Sequence, residues 1–243
     1  MNRFSVKDKN VIVTGGAQGM GAAYVTAFDE EGANVYSLDI QHPKSIESRC
    51  MHCDVAQPES IYAVFEEIAN ETCNQIHCLI NNAGVTRRPY FETIAINLIG
   101  PHYCAYAVAE MMRRGKVRGS IINIASINAS RGFEGNPGYV ESKSAIPGLT
   151  RALVVDYGKY GIRANTICPA YVVTPMTEHS QNDPVLKRQR SSMIPLNHGE
   201  WAYPEDMVGC AIFLASDASS YITGATIPID GGWSSMGLPR LDV

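Results

Sequence analysis

Residues 10–32 read NVIVTGGAQGMGAAYVTAFDEEG. The first five form a short, apolar, β-branched run that suits a buried strand. After the glycines comes an apolar-periodic segment that stops at Gly32, a residue that suits a helix end. Gly15, Gly19 and Gly21 therefore fall on a strand–turn–helix junction, with Gln18 and Met20 between them. Glycines there permit a tight turn and a close backbone approach, while the free N–H groups of a helix start attract a pyrophosphate. The junction reads as a dinucleotide cradle.

The next strand, ANVYSLD, ends at Asp39. An acid at that point can accept hydrogen bonds from both hydroxyls of an adenosine ribose, and it repels a 2′-phosphate. Neither Arg nor Lys stands within the glycine turn, so the expected cofactor is NAD, not NADP.

Beyond Asp39 the same alternation repeats. Residues 48–53 predict a third strand closed by Asp54-Val55, and Pro58 opens a helix with Ile61, Val64, Phe65 and Ile68 at core spacing. IHCLI predicts a fourth strand, running into Asn81-Asn82-Ala83-Gly84. A long helix from about residue 91 to 114 carries Asn97. Residues 119–125, 161–168 and 225–229 predict three further strands. Strands alternating with helices imply parallel crossovers. The expected fold is α/β, a single doubly wound domain over residues 1–243 with a parallel seven-stranded sheet and helices on both faces. Ligands of such sheets bind at the carboxyl ends of the strands, where Gly15, Asp39, Asp54, Asn81, Ser126 and Pro169 fall.

Composition narrows the partners. The net charge of −4 and the absence of a basic block argue against nucleic acid or an anionic membrane as partner. No apolar run is long enough for a signal peptide or a membrane span, so a cytoplasmic location is expected. Seven cysteines, an odd number, do not read as a secreted disulfide framework. Cys50-Met51-His52-Cys53 lacks the second ligand pair of a zinc site, so no metal is expected.

The chemistry concentrates in NIASINASRGFEGNPGYVESK, residues 123–143. On a helix, Tyr139 and Lys143 share one face. A fixed cation beside a phenol favours the phenolate and brings the tyrosine towards the working range of an acid–base catalyst. Ser126, at the end of a strand, can hydrogen-bond the same reacting oxygen.

Together these motifs resemble the short-chain dehydrogenase/reductase family in its compact single-domain form. The resemblance runs from Thr14 to Gly232 and rests on TGGAQGMG, Asp54-Val55, NNAG at 81–84, Asn97, Ser126, Tyr139 with Lys143, and PAYVVT at 169–174. It implies a Rossmann-type fold and hydride transfer between NAD and a secondary alcohol/ketone pair. Tyr139 would be the acid–base group, Ser126 would polarise the substrate oxygen, and Lys143 would lower the Tyr139 pKa and hold the nicotinamide ribose. Asn97 would position a water in a proton relay. Asp54 and Val55 would contact adenine; Asn81, Ala83 and Gly84 would lie beside the cofactor; Val172 and Thr174 would hold the carboxamide. Residues 176–201 would form a substrate lid, and the protein would be a homotetramer or dimer.

Three departures stand out. Asn97 follows Asn81 at a shorter distance than is usual in the family. Ala170 replaces the usual glycine after Pro169, and Pro147 falls inside the catalytic helix, where a bend after Lys143 is expected. For the substrate, Arg87, Arg88 and Arg131 suit an anionic group if they face the pocket, whereas Asn128, Glu134 and Asn136 suit a sugar or polyol. The expected substrate is thus a small sugar, polyol or hydroxy acid. A non-catalytic NAD(H)-binding sensor is the alternative, although such a protein is expected to lose the tyrosine or lysine. A sugar-nucleotide epimerase would need a further domain after Gly232. The tail SSMGLPRLDV is expected to reach a neighbouring subunit.

Overall fold

The computed structural model describes residues 2–41 and 49–240. In chain order the principal elements are β1 (Asn10–Thr14), α1 (Gly19–Glu30), β2 (Asn34–Asp39), β3 (Arg49–His52), α2 (Pro58–Thr72), β4 (Cys78–Asn81), α3 (Tyr90–Ile94), α4 (Gly100–Arg114), β5 (Ser120–Ile124), α5 (Tyr139–Tyr157), β6 (Arg163–Pro169), α6 (Glu178–Asn182), α7 (Pro184–Ser191), α8 (Val208–Ala215) and β7 (Thr226–Ile229). The sheet is parallel in the order β3-β2-β1-β4-β5-β6-β7. The chain winds outward in both directions from the β1–β4 seam, which leaves a crevice above the carboxyl ends of those strands.

Strand alternation splits the core into two layers. Ile12, Leu79 and Ile121 pack with α2, α4 and α5 through Ile61, Phe65, Val108, Met112 and Ile146. Val11, Val13, Ile80 and Ile122 pack on the opposite face with Tyr24, Val25 and Phe28 of α1 and Leu214 of α8. The inner strands β1, β4, β5 and β6 are buried on both sides, which is why they read as continuous apolar runs, whereas the edge strands β3 and β7 are only partly covered. Register aligns Thr14 with Asn81 and Asn81 with Asn123, so three polar side chains meet at one level.

Several expectations are corrected. The third strand spans Arg49–His52, with Ser48 outside the described residues. Helix α5 runs through Pro147 as one helix of 19 residues; the proline deprives the Lys143 carbonyl of a donor without ending the helix. Ala170 is absent from the residues with positive φ, so its side chain meets no strain there. The expected long helix over 91–114 is α3 and α4 joined by a π-helical turn, Ala95–Ile99, which contains Asn97. Residues 176–201 contain helices α6 and α7, the second capped by Asp183, whose carboxylate accepts from Val185 N and Leu186 N. Asp183-Pro184 is a start signal legible in the sequence. Apart from these corrections, the tail is tied to its own chain at Arg240, whose N donates to Ser192 O at 2.7 Å.

The turn after β1 tolerates no side chain at Gly21, where a Cβ would lie 1.8 Å from the Gly15 carbonyl oxygen. At Gly148 in α5 a Cβ would meet only the Arg151 Nη2, at 3.9 Å. Gly21→Ala is therefore expected to destabilise by about 1–3 kcal/mol, whereas Gly148→Ala is expected to stabilise by about 0.4–1 kcal/mol. Chemical denaturation of both variants checks the contrast.

Candidate active site

The crevice begins at the glycine turn. Gly15 has φ +68°, and a Cβ there would lie 2.8 Å from Ala83 Cα, so the turn after β1 and the NNAG loop after β4 approach at backbone distance. Asn82 clasps them: its Nδ2 donates to Thr14 O and Gly15 O, both at 3.1 Å. Asn82 N and Ala83 N donate in turn to Thr14 Oγ1. Helix α1 starts at Gly19 without a side-chain cap from Gln18, so its first-turn N–H groups are open to an anion. Met20 anchors that turn against the α1 face of the core.

Asp39 closes one end of the crevice. Its Oδ2 accepts from Ala17 N at 3.0 Å and its Oδ1 from Gln41 N at 2.9 Å, which fixes the carboxylate beside the turn. Asp54 holds its own turn through Ala56 N, and buried Val55 lies under Gly100 of α4. At the opposite end, Thr174 touches the turn: a Cβ on Gly19 would lie 3.3 Å from Thr174 Cγ2. Buried Val172 is held there by a bridge to Ala202. Backbone approach, an open helix start and an acid at the β2 end together fit a nicotinamide dinucleotide.

Ser126 follows β5 and is buried. Its Oγ accepts from Asn128 N at 3.2 Å and donates to Asn128 Oδ1 at 3.1 Å. Tyr139 opens α5. Burial raises its pKa above the usual phenol value, and a hydrogen bond with Ser126 works against that rise. Lys143, one turn on, is 4% exposed; its Nζ donates to Ile124 O at 2.9 Å and lies 5.8 Å from the Tyr139 ring centre. Desolvation lowers the Lys143 pKa to about 8, with Cys168 opposing it. Lys143, expected to lower the Tyr139 pKa, is not among the groups that shift it: burial dominates, and the Ser126 hydrogen bond alone opposes it.

Asn97 is fully buried and makes a two-way clasp on Val85, accepting from Val85 N and donating to Val85 O, each at 2.8 Å. Its Oδ1 and the Lys143 Nζ both lie close to Gly84, at 3.3 and 3.4 Å from the position of a Cβ there. Asn81 points elsewhere. Its Nδ2 donates to Pro101 O and Asn123 Oδ1, so towards a ligand it has only its main chain to offer.

A cavity of about 150 Å³ opens beside Ser126 and Tyr139, and Arg87, Asn128, Glu134 and Asn136 line it. Arg131 is a correction: it is exposed and donates to Ser130 O and Ser234 O, so its guanidinium faces away from the cavity. Arg88 also turns outward, towards Glu92. In their place the cavity gains Arg190, which lies within the expected lid, and Tyr171 of PAYVVT, neither of which the sequence assigned to the substrate. Arg190 carries no motif of its own; only the folding of α7 onto the end of β6 brings it here. Asn82, by contrast, stood inside NNAG and was legible.

Comparison with known proteins agrees with this geometry. The family described as enoyl-(acyl carrier protein) reductase, adh_short_C2, matches residues 15–234. The chain is 32% identical to D-threitol dehydrogenase of Mycolicibacterium smegmatis, over 95% of each chain. It is 30% identical to 2-dehydro-3-deoxy-D-gluconate 5-dehydrogenase of Dickeya dadantii, over 96% of this chain and 98% of that one. Among solved structures, a gluconate 5-dehydrogenase from Burkholderia cenocepacia in complex with NADP and tartrate superposes with a TM-score of 0.89 at 28% identity, covering 97% of this chain and 98% of that one. By motif, sheet order and these matches alike, the chain belongs to the short-chain dehydrogenase/reductase family, whose members at this similarity are dehydrogenases acting on alcohol groups.

Proposed function

We propose that this enzyme interconverts a secondary alcohol and a ketone on a small polar substrate, a sugar, polyol or hydroxy acid, using NAD. The observation that carries the reading is that Ser126 and Tyr139, hydrogen-bonded to each other, line one cavity beside the dinucleotide crevice, with the buried Lys143 one helical turn behind Tyr139. The named relatives act on compounds of the same kind, threitol and a dehydro-deoxy-gluconate.

NAD bound in the crevice supplies the hydride acceptor. In the oxidative direction Tyr139 Oη takes the hydroxyl proton while Ser126 Oγ holds the same oxygen. Lys143, fixed by Ile124 O, would hold the nicotinamide ribose and would supply a positive charge that favours the phenolate once the cofactor is bound. Asn97 completes the set. Its side chain is occupied by Val85, so its part in passing a proton from Lys143 towards solvent falls to the main chain of its π-helical turn.

Asp39 supports NAD over NADP. A carboxylate has lone pairs left for ribose hydroxyls after accepting from Ala17 and Gln41, and its charge opposes a 2′-phosphate. Residues 176–201 act as the lid, with Thr177 Oγ1 fastened to Val172 O at 2.6 Å. Exposed Val155 and Tyr160 near the α4–α5 face suit pairing of copies into a dimer or tetramer. None of the seven cysteines, all among the described residues, forms a disulfide, as suits a reducing cytoplasm.

NADH formation across sugars, polyols and hydroxy acids tests this reading. Tyr139→Phe is expected to lower kcat by about 10²–10⁴-fold with NADH binding retained; turnover at the wild-type rate would remove Tyr139 from the chemistry. Asp39→Ala is expected to raise the KM for NAD by about 10–100-fold and improve NADP use, read from initial rates with each cofactor. Lys143 supplies a third test. With its folded pKa near 8 and the unfolded value 10.5, the unfolded chain binds more protons between those pH values, so this lysine destabilises the fold below about pH 8 and its penalty fades as pH rises towards 10.5. Lys143→Met is therefore expected to melt above the wild type at pH 7, by up to about 3 kcal/mol. The gap should close as the pH climbs through that window.

A further inference from the structure

We infer that the cavity beside Ser126 and Tyr139 is built for a substrate bearing a single carboxylate, held by Arg87 and Arg190 with the Asn128 amide as a third donor. This rests on the dehydrogenase reading above and names the substrate class of that site.

The charge on the cavity wall is the first argument. Arg87, Arg190 and Glu134 are its ionised side chains. Among the described residues neither arginine has a carboxylate within 4.0 Å: the ion pairs lie elsewhere, at Lys9, Arg49, Arg88, Arg113 and Arg114. The wall thus carries one net positive charge, which matches a monoanion better than a dianionic phosphate.

Arg190 is held in place. Its Cζ lies over the Tyr171 ring at 5.2 Å, and Tyr171 stacks on Trp201 with ring centres 5.0 Å apart. The Tyr171 hydroxyl takes one hydrogen bond from the guanidinium, which fixes the arginine and leaves its other N–H groups for planar binding of a carboxylate. Arg87 stands across the cavity with φ +55°, a left-handed conformation uncommon for a bulky residue.

Asn128 supplies the independent sign of a ligand. It is 7% exposed, its Oδ1 takes the Ser126 hydroxyl, and its Nδ2 is buried with no hydrogen-bond partner. Buried amide groups are nearly always paired, so this donor awaits an acceptor in the cavity it lines. Thr86 and Asn136, bonded to each other at 3.1 Å, add neutral polar groups for further hydroxyls. The result is a hydroxy acid bound with its alcohol at Tyr139 and its carboxylate at Arg190.

The test compares kcat/KM for a hydroxy acid, the neutral polyol of equal chain length and a phosphorylated counterpart, in the wild type, Arg190→Met, Arg190→Lys and Arg87→Met. NADH binding confirms that each variant is folded. The wild type is expected to prefer the acid. Arg190→Met should lower kcat/KM for the acid by about 10–100-fold, chiefly through KM, and for the polyol by far less, with Arg190→Lys recovering part of the loss. A wild-type preference for the polyol or the phosphorylated compound, or an acid-to-polyol ratio that Arg190→Met and Arg87→Met leave unmoved, overturns the carboxylate assignment and leaves the dehydrogenase reading intact. Binding of NADH without turnover of any secondary alcohol overturns the reading beneath it, and this assignment with it.

Discussion

A buried ammonium holds the site together. Lys143 is almost wholly removed from solvent, and its Nζ donates to the carbonyl of Ile124 at 2.9 Å. That bond joins the first turns of α5 to the end of β5, the strand that leads into Ser126. Removing a charge from water costs several kcal/mol, which proteins recover only where geometry or function demands it. Here the charge stands one helical turn from the Tyr139 phenol, so the same bond that fixes the helix fixes the distance between cation and phenol.

The sheet beneath the site is clamped by polar groups. Asn81 Nδ2 donates to Asn123 Oδ1, Asn123 Nδ2 donates to Thr150 Oγ1, and Thr150 meets Thr166, so one chain of hydrogen bonds crosses β4, β5, α5 and β6. Every member is buried, and such fully paired networks rigidify what they cross. Asn82 and Asn97 do the same work one layer higher, tying the NNAG loop to the glycine turn and to the π-helical turn. The crevice is therefore bounded by loops whose main chains are held at several points, the precondition for placing a cofactor and a substrate oxygen within a fraction of an ångström.

The substrate side is assembled differently. Phe133 stacks on Trp233 and Tyr171 on Trp201, while Ile127 and Ile194 fill the space between, forming a third apolar cluster apart from the two sheet faces. It fastens the segment after α7 and the tail against the end of β6, so that side of the cavity is joined to the sheet largely by aromatic and apolar contact.

What the sequence determined was everything governed by local repetition and by short motifs. Short continuous apolar runs marked the strands and a period of 3.6 the helices, glycines 15 and 21 marked the turn, and the i, i+4 spacing put Tyr139 and Lys143 on one face. These are properties of neighbours along the chain. Tertiary structure alone decided which way the long polar side chains turn. Arg131 leaves the cavity for Ser234, far along the chain, and Arg190 enters it because α7 folds back over Tyr171. It also set the balance at Tyr139, where burial outweighs the hydrogen bond with Ser126. Flexible cationic stems and desolvation depend on contacts between residues remote in sequence, and no local spacing encodes them.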